Sequence, residues 1–316
     1  MSKIGVFTHV WPWEPYVIAG LDTLLTALCV ELTDRIIPLP GPGRSGPGRP
    51  PGVTGAELAC LAVAQVLLRS DDERHWLRAA PARIGHLFPR LLRQSECNDR
   101  VRSAALLTET ALRWLAEQTP GPAEMLRLMD GTPVPCGQSA VTAKRSNLPG
   151  HAGYGHCASR SRFYRGARLM LIVTADGTVT GFCLASPRLA GERDQARQMP
   201  DAQPASRPRP GTAVVTGKGL SGQDTEDYLA GLDLDLIRPA RKDEKKPRYF
   251  PNWLRQRAEA IIWTLKSQPG PEHHGGRVPA GLRARVVQRL LALNAAIWHN
   301  WLTGAPVKPS LIAYDH

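Results

Sequence analysis

RLMLIVTADGTVTGFCLA, residues 168–185, is the stretch that decides the fold. Arg168–Thr174 is apolar and β-branched towards its end, the composition of a strand. Ala175-Asp176-Gly177 follows, and Asp-Gly between two apolar runs is a strong hairpin signal. Val179–Ala185 is the returning strand. Upstream, EMLRLMD (124–130) reads as a short strand that ends in an acid, ahead of a Gly131-Thr132-Pro133 loop. Downstream, TAVVT (212–216) reads as a short buried strand and Leu234–Ile237 as another, with a helix over Gln223–Ala230 between them. The residues between Glu192 and Pro210 read as a surface loop after a short helix. Two helices close the chain, an amphipathic one over Trp253–Lys266 and a longer one over Leu282–Trp301. A strand, a hairpin, a strand–helix–strand unit and terminal helices predict an α/β fold, a mixed sheet with helices packed on it.

The first 120 residues read differently. LDTLLTALCVELTDRII (21–37) places leucines at helical spacing. Residues 38–52 form a basic Pro/Gly linker around Gly48-Arg49-Pro50, which suits either a minor-groove arm that carries Arg49 into DNA or an ordinary exposed loop. Thr54 and Glu57 make a capping-box pattern that opens a helix over 55–68. Further helices are expected over 72–80, His86–Gln94 and Arg100–Glu117. Their many arginines suit a DNA-binding helical region and equally a solvated face. The division expected is a helical, DNA-end-binding region over 1–120 and a catalytic domain over 121–316.

The formal net charge of +12 points to a polyanionic partner, and nucleic acid is the first candidate. Six cysteines without a CxxC pair read as free thiols in a reducing cytoplasm. No apolar run is long enough to cross a membrane. His151, His156 and Cys157 match no common zinc spacing. The tryptophans of the last two helices read mostly as packing residues. Lys144, Arg145, Arg160, Arg162 and Arg165 interleave with Tyr154, Phe163 and Tyr164, a pattern suited to stacking unpaired nucleotides or to a hairpin insertion with its own small core.

The candidate chemistry is acidic. Asp130 stands ahead of a loop, where an acid reaches a metal without burial. On the helix of Trp253–Lys266, Arg255, Glu259 and Lys266 share one face. Taken together, LMDGTPVP, FYRGARLMLIVTADGTVTGFCLASP, VVTGKGLSG, NWLRQRAEAIIWTLK and GGRVPAGLRARVVQRLLALNAAIWHNWL resemble insertion-sequence transposases of the acidic-triad (DDE) type, over nearly the whole chain. The R-x3-E-x6-K helix after a D-K-G-type strand end is the most specific part of the resemblance.

That resemblance implies a ribonuclease H-like mixed five-stranded sheet flanked by helices. It implies a bacterial transposase that cuts and joins double-stranded DNA in the cytoplasm at the nucleoid, as a homodimer assembled on DNA. Two Mg²⁺ or Mn²⁺ ions are expected, with Asp130 and Glu259 as their ligands. Arg255, Lys266, Lys218, Arg241, Lys242, Lys245 and Arg49 are the expected DNA contacts. The second triad acid belongs at the first position of Gly217-Lys218-Gly219, where this chain has glycine. Glycine offers no side-chain oxygen, so the resemblance leaves two further readings open, a catalytically dead DNA-binding remnant and a nuclease of the same fold. Asp224, seven residues on, is the weak candidate for a substitute ligand.

Overall fold

A computed structural model describes residues 20–37, 52–137, 147–148, 150–157, 161–189, 191–202, 207–220, 222–240 and 250–306. Most of the 38–52 linker with Arg49, and the cations Arg241, Lys242 and Lys245, lie outside the described residues.

The architecture is α/β, with one mixed sheet and helices on it. The strands are β1 (Leu126–Gly137), β2 (Gly153–Cys157), β3 (Arg162–Val173), β4 (Val179–Ala185), β5 (Ala213–Thr216) and β6 (Asp235–Ile237). β3 is antiparallel to β1, β2 and β4, whereas β5 is parallel to β1 and β6 is parallel to β5. β2 and β4 share one edge of β3, β2 beside residues 162–166 and β4 beside residues 168–173. Among the described residues the sheet therefore has six strands rather than five. The addition is β2, which pairs antiparallel with the start of β3 in the stretch where basic and aromatic residues interleave.

The 168–185 stretch forms the expected hairpin. Gly177 adopts φ 99°, a left-handed conformation that glycine takes without strain. The Asp176 carboxylate accepts from the Thr178 backbone N–H at 3.0 Å and from the Thr174 hydroxyl, which closes the turn.

β1 corrects one expectation: Asp130 does not end a strand but lies in its middle. Gly131–Gly137 continue the ladder against Arg165–Met170 of β3. Pairing with β5 stops at Met129↔Thr216, so beyond it β1 has no β5 partner. Pro133 and Pro135 are accommodated there, because a missing backbone donor on an edge costs no ladder bond.

Five helices precede the sheet: α1 (Leu21–Arg35), α2 (Gly55–Leu67), α3 (Glu73–Ile84), α4 (Gln94–Ser103) and α5 (Ala105–Glu117). The capping box at the start of α2 is present, with Thr54 Oγ1 accepting from Glu57 N and Glu57 Oε2 accepting from Thr54 N. The helix expected over His86–Gln94 is absent. Residues 85–93 form turns and irregular chain around Pro89, which biases its preceding residue away from helix. The helix expected over Arg100–Glu117 is divided at Ala104 between α4 and α5.

Among the described residues four more helices come later, α6 (Glu192–Ala202) and α7 (Gln223–Gly231) between strands of the sheet, then α8 (Asn252–Ser267) and α9 (Pro279–Thr303). α6 replaces the expected loop. Its sequence ERDQARQMPDA has too few apolar residues for a helical period to show, yet Gln195, Ala196 and Met199 bury one face.

Two apolar layers enclose the sheet. Leu128, Leu171, Val179 and Val215 face the larger layer, which also holds Leu24, Leu61, Leu112 and most of α9. Met129, Met170, Ile172 and Val214 face the smaller one, with Ala196 and Met199 of α6 and Leu229 of α7. α9 is buried almost continuously from Leu282 to Asn300, because it packs on the N-terminal helices and on β4 together. Asn294, in its middle, accepts from Val179 N at 2.8 Å and donates to Val179 O at 2.9 Å and to Leu112 O at 3.1 Å. All six cysteines are free thiols. No helix among the described residues is long and apolar enough to cross a membrane.

Candidate functional site

A cleft of about 700 Å³ opens where β5 ends. Its position follows from the register. Met129 pairs with Thr216, so Asp130 and Gly217 are the next residues on adjacent parallel strands. Carboxyl ends of parallel strands are where open α/β sheets place ligand sites. Over this end lies α8, which buries Leu254, Ile261 and Leu265 against the larger layer. Its polar face looks into the opening.

The cleft brings together residues far apart in the chain. Asp130, Gly217, Arg255, Glu259 and Lys266 all line it. Arg255 Nε and Glu259 Oε1 form an exposed i,i+4 ion pair at 2.9 Å. Trp263, His156 and Tyr164 add rings to the wall. Phe163, 76% exposed, tilts against His156 with ring centroids 4.8 Å apart. Of the tryptophans expected to pack, only Trp298 is buried, whereas Trp253, Trp263 and Trp301 are exposed. The Trp301 indole N–H reaches Asp176 Oδ2 at 2.9 Å.

Other expected residues fall elsewhere. Asp224 lies on α7 in a separate recess beside α6, exposed and 3.9 Å from Arg197. Lys218 opens a short 3-10 turn after Gly217, and its side chain lies outside the described residues.

One acid in the cleft escaped the sequence reading. Glu192, the first residue of α6, reaches it from the opposite side of the sheet to α8. The only sequence signal was an acid at a helix start, which is common.

Burial governs the electrostatics. It pushes the Asp130 carboxyl up to about 6, with Glu192 raising it further and the Gly131 N–H and Lys266 opposing. Burial also raises Glu192, against the pull of Arg168 and Arg193. Two acids that are costly to ionise, near one another and facing a cationic rim, form a pocket that a cation or a proton stabilises.

The fit to divalent metal can be tested on these residues. Among the described residues, no three histidine, cysteine, aspartate or glutamate side chains converge closely enough to hold an ion. Asp130 and Glu192 are nonetheless available oxygen ligands. The Oγ1 atoms of Thr132 and Thr216, 0% and 3% exposed by residue, are buried with no hydrogen-bond partner among the described residues and line the same cleft. Hard oxygen donors of this kind suit Mg²⁺ or Mn²⁺, which retain several waters.

No family model, curated protein or solved structure matches the chain.

Proposed function

We propose that this chain processes double-stranded DNA as a polynucleotidyl-transfer enzyme of the insertion-sequence transposase type, on a ribonuclease H-like sheet. The observation that carries the reading is the cleft itself. Asp130, Gly217, Arg255, Glu259 and Lys266, drawn from three separate stretches of the chain, line one opening at the end of β5. The sheet order supports the fold assignment, with an antiparallel β1–β3–β4 ribbon followed by parallel β5 and β6.

The residues divide the work. Lys266 and Arg255 offer positive charge to phosphate, and the exposed rings of Trp263 and Phe163 offer faces on which a base can stack. The +12 charge attracts the duplex from a distance. Asp130, with Glu259 across the cleft, would hold divalent metal. A bound divalent ion supplies Lewis-acid polarisation of a phosphoryl oxygen. Dimerisation on DNA belongs to the same proposal.

A second reading is favoured by Gly217. With no acid there, the chain is a DNA-binding remnant that no longer cuts. The site tolerates restoration, because a methyl group added at Gly217 meets no atom within 4 Å.

The experiment incubates the protein with labelled duplex ends and Mn²⁺, and follows nicking and joining for the parent and for Gly217→Asp. Metal-dependent cleavage by the parent, increased about tenfold or more by Gly217→Asp, is the expected result. Cleavage without joined products would make the chain a nuclease. DNA binding with no cleavage by either protein would leave the remnant reading.

A further inference from the structure

A second cavity, of about 730 Å³, shares no residue with the cleft. It opens between the start of α3, one face of α4 and the segment 274–281 that leads into α9.

Its charge is unbalanced. Five arginines line it, Arg74, Arg102, Arg277, Arg285 and Arg289, against three acids, Asp71, Asp72 and Glu73. The acids are already engaged. Asp72 caps α3 by accepting from His75 N at 2.7 Å. Glu73 pairs with Arg285, and Asp71 lies 3.2 Å from His273 Nδ1. Arg289 is 5% exposed, and among the described residues no carboxylate is nearer to it than Asp71, at 3.5 Å. Its other bonds run to the neutral carbonyls of Gly270, Arg285 and His273. Burial pulls its guanidinium down to about 10, with Asp71 opposing and Arg285 adding to the fall. A buried cation so weakly compensated leaves a positive field in the cavity beside it. Arg74 and Arg277 are exposed at this cavity and make no hydrogen bond or ion pair among the described residues.

The start of α9 reinforces that field. Pro279 is its first residue, no side chain caps it, and its first turn has no acid. The N–H groups of Ala280 and Gly281 have no hydrogen-bond partner among the described residues. An uncapped helix start beside free guanidinium groups supplies converging donors to an anion. Apolar lining is sparse, mainly Val101, Val278 and Ala284, which suits a hydrophilic occupant.

We propose that this cavity binds a phosphate group, either of a small phosphorylated ligand or of a nucleic-acid backbone, with Arg74 and Arg277 as its charged contacts and the start of α9 as its backbone donor. Arg285 and Arg289 set the field from below. The competing role for all four arginines is structural, with water alone in the cavity. The inference stands apart from the reading of the cleft, and either can fail without the other.

The test is isothermal calorimetry of the full chain with inorganic pyrophosphate, beside fluorescence anisotropy with a labelled duplex in EDTA. Arg74→Ala/Arg277→Ala removes the free cations. Arg78→Ala/Arg83→Ala removes the same charge from exposed positions of α3 that do not line the cavity. Val278→Asp sets a carboxylate at the N-cap of α9, where it takes the helix end for itself and favours the helix. The first and third variants are each expected to weaken binding by about fivefold or more, and the α3 control by less than about twofold. That loss for pyrophosphate assigns the site to a small phosphorylated ligand. The loss for duplex alone assigns it to a nucleic-acid backbone. If the double arginine variant does not fold, Val278→Asp carries the test by itself. Binding of neither probe by the parent, or cavity variants that lose no more than the control, overturns the proposal.

Discussion

Burial pushes the Asp130 carboxyl up to about 6, so the folded chain holds that proton more tightly than the unfolded one does. The sign follows. Asp130 favours folding below about pH 4, and that contribution is lost as pH rises through about 6. At neutral pH the ionised group opposes folding. Asp130→Asn should therefore stabilise the protein at pH 7 by about 1–3 kcal/mol, and the gain should vanish near pH 4. Urea denaturation at both pH values checks this. A variant less stable than the parent at pH 7 would mean that Lys266 more than offsets the burial. Of the cleft's acids, sequence made Asp130 and Glu259 legible because each sits in a local pattern. Glu192 was not, since it enters the cleft from α6, its carboxylate lying against Gly131 and Gly219, residues distant in the chain.

At the scale of elements, legibility followed locality. The 168–185 hairpin and the capping box of α2 are written in adjacent residues, and both form as read. The continuation of β1 past Asp130 depends on Arg165–Met170 of β3 lying opposite, which a local window through Gly131-Thr132-Pro133 cannot see. α6 is built largely of helix-forming Glu, Arg, Gln, Ala and Met, but its few apolar residues, Ala196 and Met199, show a helical face only once the smaller apolar layer is there to meet them. Asn294 shows the same dependence on distant partners, as one side chain ties α9 to β4 and α5. Asn294→Ala leaves the Val179 N–H buried without its acceptor and opens a small void. A loss of about 2–4 kcal/mol is expected in chemical denaturation. A change under about 0.5 kcal/mol would show that the strand end rearranges to satisfy itself.

For the whole molecule, the apolar layer that joins α1, α2 and α5 to α9 and the sheet has no break at residue 120. Composition changes there, which is why the sequence suggested two regions, but the side chains of α9 pack into both. The chain should unfold in one cooperative transition, with the calorimetric and van't Hoff enthalpies equal. Two separate transitions, one surviving in the isolated segment 1–120, would show that the helical region is independent after all.

The position of α9 also bears on how the protein is made. The helices over 21–117 are synthesised before α9, which covers their apolar faces and begins only at Pro279. At roughly 5–20 residues per second, the nascent chain carries those faces uncovered for on the order of ten seconds. Throughout that interval the apolar faces of α2 and α5 lack the cover that α9 gives them in the folded chain.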